Sequence, residues 1–249
     1  MKKSKLTPIL CALALLLSLG LPACQPKKTS AGETADGPAW SSLKAEGTLP
    51  LQYATQFSVT NYTDGYRLID ITNSGKYLVV PEGRGVPTGL ESGVVVLKQP
   101  LDHIYLAATS AMDLFRALDG VGNIRLSGEQ ADGWYIDAAK QAMQNGSMVY
   151  AGKYSTPDYE LIYSEKCDLA IESTMINHTP EVKEQLEHLG VPVLVERSSY
   201  ESDPLGRMEW LKLYGVLLGK ETQAQDLFQK EVDALSGVLG QQSTGKTVA

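Results

Sequence analysis

Residues 157–196, PDYELIYSEKCDLAIESTMINHTPEVKEQLEHLGVPVLVE, constrain the fold more than any other stretch. They read as helix, strand, helix, strand. Pro157 opens a short helix with Leu161 and Ile162 on its buried side. Cys167 to Ile171 is an apolar run long enough for a buried strand. Thr179-Pro180-Glu181 has the chemistry of a helix start: a capping hydroxyl, a proline at the first helical position and an acid in the first turn. Val182, Leu186 and Leu189 recur on one helical face, and Gly190 stops that helix. Val191 to Val195 is a second buried strand. Two apolar strands joined by a one-faced helix make a βαβ unit, which demands parallel strands and a right-handed crossover. Ligands of open parallel sheets sit beyond the carboxyl ends of the strands. Those ends here are Glu172-Ser173-Thr174-Met175 and Glu196-Arg197-Ser198-Ser199-Tyr200.

The flanking sequence extends the same pattern. His103 to Ala108 predicts a strand, and Ser110 with Asp113 a capped helix buried through Met112, Phe115 and Leu118. A short strand follows over Ile124 to Leu126, a helix over Trp134 to Met143 and a strand over Met148 to Tyr150. About five strands then alternate with four helices, an α/β lobe with a mostly parallel, doubly wound sheet. Before it, Phe57 to Tyr62, Tyr66 to Thr72 and Tyr77 to Val80 predict an antiparallel meander, with turns at Thr63-Asp64-Gly65 and Asn73-Ser74-Gly75. Val94 to Leu97 is a further strand candidate. Gly83 and Gly85 do not complete GxGxxG, because position 88 is Thr, so a dinucleotide site is not indicated.

Asp203-Pro204 starts a helix that reaches Leu218 and stops at Gly219. Thr222 caps a second, with Leu227, Phe228, Val232, Leu235 and Leu239 on its apolar faces. The long helix 222–239 is expected to connect two lobes.

At the other end, Lys2, Lys3 and Lys5 precede an apolar run from Ile9 to Leu19, too short to span a membrane comfortably. Leu21-Pro22-Ala23-Cys24 resembles a bacterial lipobox with Pro at an unusual position. Residues 1–23 are thus expected to be a lipoprotein signal peptide and Cys24 the lipidated residue, anchoring the chain on the extracytoplasmic side of the cell membrane. The Gly-, Pro-, Ser- and Lys-rich stretch 24–56 reads as a disordered tether in which Trp40 has no evident role.

The formal charge is −7, and residues 1–23 contribute three lysines and no acid, so the remainder carries −10. An acidic exported chain is a poor partner for nucleic acid. Cys167 is the one cysteine beyond the signal region, so no intrachain disulfide is expected in the folded part.

IYLAATSAMDLFRALDG, YAGKYSTPDYELIYSEKCDLAIES, LGVPVLVE, the long helix from Thr222 and above all ERSSYESDPLGRMEWLKLYG together resemble the substrate-binding lipoproteins of ABC importers that handle ferric siderophores, haem and cobalamin, the class III periplasmic binding proteins. The resemblance covers about residues 57–249. It implies two α/β lobes with a ligand held between them. Residues 57–200 form the first lobe, 201–240 the helical connection and 241–249 the start of a second lobe, which is expected to be missing from this sequence. It further implies capture of a ferric siderophore or similar chelate, delivery to a permease and its ATPase, a monomer, no cofactor, no resident metal and no catalysis. Thr109, Ser110, Trp134, Tyr154, Ser173, Thr174, Arg197 and Tyr200 fall in the loops that supply ligand contacts in such proteins. Glu160 matches a first-lobe glutamate that docks on permease arginines. Closure needs both lobes, so the first lobe alone is expected to bind weakly or not at all.

Blander readings stand beside these. Arg197 suits an anionic ligand, or an ion pair with Glu196 or Glu201. Trp134 and Tyr200 suit stacking on a planar ligand, or ordinary packing. Glu160 suits docking, or a solvated helix face. His178 and His188 have no metal-ligating partner at suitable spacing. Ser173 and Ser199 lie outside GxSxG, which leaves no hydrolytic triad in view. The alternatives to a siderophore carrier are a haem or cobalamin binder of the same family, an exported α/β enzyme and a metal-binding lipoprotein.

Overall fold

The computed structural model describes residues 37–239. The expected signal peptide 1–23, the lipidation site Cys24, the start of the tether and residues 241–249 lie outside the described residues. Two five-stranded sheets organise the fold. The first contains β1 (Ala45–Thr48), β2 (Phe57–Tyr62), β3 (Arg67–Ile71), β4 (Gly75–Val80) and β5 (Val94–Lys98), in that order. β1 to β4 are antiparallel, while β5 runs parallel to β4. Loop 81–93 makes this possible, because a parallel neighbour needs a connection that crosses back over the sheet.

After β6 (Ile104–Leu106) come α1 (Met112–Ala117), β7 (Ile124–Ser127), α2 (Asp137–Gln144) and β8 (Val149–Tyr150). A small hairpin of β9 (Gly152–Lys153) and β10 (Thr156–Pro157) leads to α3 (Tyr159–Ser164), β11 (Leu169–Ser173), α4 (Pro180–His188) and β12 (Val193–Glu196). The second sheet has the order β12-β11-β6-β7-β8, and every pair in it is parallel. The order reverses direction between β6 and β11, so this is a doubly wound sheet with a switch point there. α5 (Pro204–Leu218) and α6 (Glu221–Leu239) are the last described elements.

Alternation along the strands divides the core into layers. Val59, Ile69, Tyr77 and Val79 of the first sheet meet Ile104, Leu106, Ile171 and Leu194 of the second, together with α1, α2 and α5. Tyr105, Ala170, Val193 and Val195 face the other way, under α3 and α4. Leu78 and Val80 form a third layer with Leu43 and Tyr66. α5 is buried nearly all round, from Leu205 to Leu217, as expected for a helix enclosed by other elements. Its end is set by Gly219, whose φ of 66° is the left-handed cap conformation that glycine adopts without steric cost.

The structure departs from a tether over residues 37–56. β1 pairs with β2, and Trp40 packs on Tyr62 with ring centroids 4.6 Å apart. Residues 50–56 are clamped by two buried acids. Glu209 accepts the amides of Gln52, Tyr53 and Ala54 at 2.8–3.0 Å. Glu201 accepts the amides of Thr55 and Gln56 and the indole N–H of Trp210. Lys212 Nζ completes the cluster, donating to Glu209 Oε1 at 2.7 Å and to the Pro50 carbonyl at 2.8 Å. Composition concealed this because the partners are backbone amides, which every residue except proline carries.

Local helix starts differ from expectation as well. α3 begins at Tyr159 and is capped by Asp158, whose carboxylate accepts from Leu161 N, while Pro157 sits in β10. α4 has Pro180 at its first turn, but the Thr179 hydroxyl donates back to Ile176 O instead of capping. α2 begins at Asp137, leaving Trp134 in the preceding loop. Among the described residues no helix is long and apolar enough to cross a membrane.

Candidate functional site

The carboxyl edge of the second sheet gathers the loops after β6, β7, β8, β11 and β12. Five large apolar side chains are exposed among the described residues: Tyr135, Tyr150, Tyr163, Met175 and Tyr200. Four of them lie on this edge, and Tyr163, on α3, is the exception. Water-exposed aromatic and thioether side chains concentrated at one sheet edge are the surface that a ligand with planar or apolar parts requires.

Arg197 follows β12 and lies over the Tyr200 ring, its guanidinium carbon 4.2 Å from the centroid. Its Nε is buried and has no hydrogen-bond partner. The stack holds a planar fork of donors in place beside an exposed phenol, an arrangement suited to an anionic or electron-rich group. The expected ion pair of Arg197 with Glu196 or Glu201 is not formed: Glu201 is committed to Thr55, Gln56 and Trp210. Glu196 is buried and accepts from the Ser198 amide at 2.8 Å and the Ser110 hydroxyl at 3.4 Å. Burial pushes the Glu196 carboxyl up, and the Ser198 and Ser110 donors offset part of that.

Ser110 therefore reaches from the loop after β6, across β11, to the end of β12, spanning the switch point. It does not cap α1, which begins after a 3-10 turn over Thr109–Ala111 without any side-chain cap. Thr109 and Ser110 are both exposed. Ser173 and Thr174, half-buried, end β11, and the Ser173 hydroxyl accepts from Met175 N at 3.3 Å. Tyr154 is half-buried in the turn between β9 and β10, at the β8 side of the edge. Ser110, Ser173, Thr174, Arg197 and Tyr200 thus share the end of the sheet around β6, β11 and β12, with Tyr154 apart from them.

Trp134 does not belong to this surface. It is 4 % exposed, packs in the layer between the sheets, and its indole N–H donates to Ser127 Oγ at 3.1 Å. The adjacent Tyr135 is the exposed ring, at 93 %, with Lys140 Nζ 5.8 Å from its centroid. The helix expected over 134–143 starts only at Asp137, which leaves both rings in the loop before it. Glu160 is exposed on α3.

Glu172 is the feature that sequence reading passed over. It is fully buried near the end of β11, and neither carboxyl oxygen has a hydrogen-bond partner. Burial pushes it up to about 8. Its signal in the sequence was a lone acid at the end of the apolar run LAI. Among the described residues no three His, Cys, Asp or Glu side chains gather to hold a metal ion. The surface pocket of about 420 Å³ beside Ile162, Tyr163, Cys167 and Val191 lies at the opposite, amino end of β11 and β12.

No protein-family model matches the chain. An uncharacterized lipoprotein of Methanocaldococcus jannaschii is 22% identical over 210 residues, which is 74% of this chain and 49% of that protein. The chain thus spans about half the length of the curated relative it matches. Among solved structures, a periplasmic heme binding protein from Pseudomonas aeruginosa is 20% identical, covering 55% of this chain and 45% of its own, with a TM-score of 0.43. The triscatecholate siderophore binding protein FeuA from Bacillus subtilis, complexed with ferri-bacillibactin, is 18% identical over 57% of this chain and 46% of its own, with a TM-score of 0.44. The iron uptake ABC transporter substrate-binding protein PiuA from Streptococcus pneumoniae is 18% identical over 55% and 46%, with a TM-score of 0.44.

Proposed function

We propose that this chain is the ligand-gathering α/β lobe of an extracytoplasmic solute-binding lipoprotein of an ABC importer, and that it takes an iron-siderophore-type chelate on the carboxyl edge of its parallel sheet. The observation that carries the reading is the stack of Arg197 on Tyr200 beside Ser110, Ser173 and Thr174, at the switch point of a doubly wound sheet. Ferric chelates present anionic oxygens around the iron, and catecholates and haem add flat rings. A fixed guanidinium recognises the former and exposed rings the latter. Thr109, Tyr135, Met175 and, further along the edge, Tyr150 and Tyr154 extend the contact surface. Glu160 is assigned to docking on the permease, the lipid on Cys24 to holding the protein at the membrane, and delivery to the permease and its ATPase follows from that arrangement.

The test is an equilibrium fluorescence titration of the unlipidated protein completed with the second lobe that closure requires, against ferric hydroxamates, ferric catecholates, haem and cobalamin. One class is expected to quench saturably, with affinity reduced at least about tenfold by Arg197→Ala, the loss of a charge-assisted contact. No saturable response to any of the four would contradict the reading.

A further inference from the structure

Glu172 lies at the same end of the sheet and is not used by the proposed chelate surface. β11 alternates, so Glu172 shares its face with Ala170, and its register partner on β12 is Val195. On the other side the ladder with β6 ends at the pair Ile171 and Leu106, and Ala107 and Ala108 come next. None of these neighbours offers a side-chain donor. The ionisable groups that bear on Glu172 from the surrounding elements are phenols: Tyr105 of β6 and Tyr159 of α3. Behind them lie Tyr150 and Cys167 near Tyr105, and Glu181 of α4 near Tyr159. No lysine, arginine or histidine is among them. The Tyr105 hydroxyl is already committed, donating to the Gly152 carbonyl at 2.8 Å.

Protonation alone does not resolve this. A neutral carboxyl still has one donor and its acceptor sites to satisfy, and a buried polar group without a partner is costly. A divalent ion is a poor answer, since one carboxylate supplies too little charge and no triad of His, Cys, Asp or Glu exists among the described residues. One buried acid without a partner, small apolar neighbours and only neutral phenols bearing on it leave room in the charge balance for a single positive charge of small radius.

We propose that Glu172, at the carboxyl end of β11, is the charged ligand of a site for a small monovalent cation, either an alkali ion or a primary ammonium group. The site stands on the surroundings of Glu172 and does not depend on the transport reading.

The test is thermal unfolding of the mature protein at about pH 9, where Glu172 is ionised. The background salt is tetrapropylammonium chloride, too bulky to enter, and it is replaced at constant ionic strength by NaCl, KCl or methylammonium chloride. The expected result is a saturable rise in Tm of about 3–6 °C at tenfold excess over Kd, absent in Glu172→Gln. Which salt acts distinguishes the alkali ion from the ammonium group. No salt-specific rise, or an equal rise in Glu172→Gln, overturns the proposal. If Glu172→Gln does not fold, anomalous scattering from rubidium-soaked crystals of the unaltered protein decides an alkali site. A rubidium peak at bonding distance from Glu172 supports it, and an empty position together with no methylammonium effect on Tm overturns it.

Discussion

Replacing Glu172 by Gln should change how stability depends on pH more than it changes stability at any one pH. The carboxyl ionises near 4.5 when free in solution and near 8 in the fold, because burial disfavours the charged form. The unfolded chain therefore releases this proton first. The group costs nothing below about pH 4.5, its cost grows as pH rises, and the full cost is reached above about pH 8. At 1.36 kcal/mol per pH unit, the cost at pH 7 is about 3 kcal/mol and at pH 5 under about 1 kcal/mol. Glutamine keeps the shape and cannot ionise. The difference in unfolding free energy, variant minus unaltered protein, should rise by about 2–3 kcal/mol between pH 5 and pH 7. Any packing cost of the amide is common to both pH values and cancels. Urea unfolding at those two pH values, with tetrapropylammonium as the only added cation, measures it. A difference that stays flat with pH would refute the reasoning about Glu172.

Four further outcomes follow from the same structure. Glu209→Ala removes the acceptor of three backbone amides and leaves Lys212 buried without its ion-pair partner. It should cost about 3–5 kcal/mol in urea unfolding, and the double variant with Lys212→Ala should cost less than the sum of the single changes. Burial pushes the Glu209 carboxyl up, but the amides of Ala54, Tyr53 and Gln52 and the Lys212 ammonium outweigh this and hold it below the ordinary carboxylate value. Its stabilising contribution is thus present above the unfolded value and lost as pH falls through the folded one, so the Glu209→Ala deficit should shrink in acid. Trp134→Phe should cost about 1–2 kcal/mol by removing the bond to Ser127 while leaving chelate affinity unchanged, in contrast to a ligand-stacking role. Deleting residues 37–56 should abolish cooperative unfolding monitored by circular dichroism, because that segment supplies β1 and the amides that Glu201 and Glu209 require.

The parallel sheet was legible because its signals are local. The apolar runs CDLAI and VPVLV, the one-faced helix between them and Gly190 predicted β11, α4 and β12 to within a few residues. The stop of α5 at Gly219 was equally plain. What could not be read depends on partners distant in sequence. Glu201 and Glu209 hold backbone amides about 145–157 residues away, and nothing in the composition of 50–56 announces them. The direction of β5 turned on how loop 81–93 crosses the sheet. In the candidate site the loop positions of Ser110, Ser173, Thr174, Arg197 and Tyr200 followed from the strand ends alone. Trp134 did not, since the helix starts three residues later than expected and the exposed ring of the preceding loop is Tyr135. The isolation of Glu172 depends on what its neighbours lack, which only three-dimensional placement reveals.

The central claim is that ligand is held on the carboxyl edge of the parallel sheet. Amide hydrogen exchange of the two-lobed, unlipidated protein, compared with and without the chelate that titrates it, tests this most directly. Protection concentrated in residues 107–110, 173–178 and 197–202 is the predicted result. Protection confined to residues 162–167 and 189–193, at the opposite end of the same strands, would contradict it.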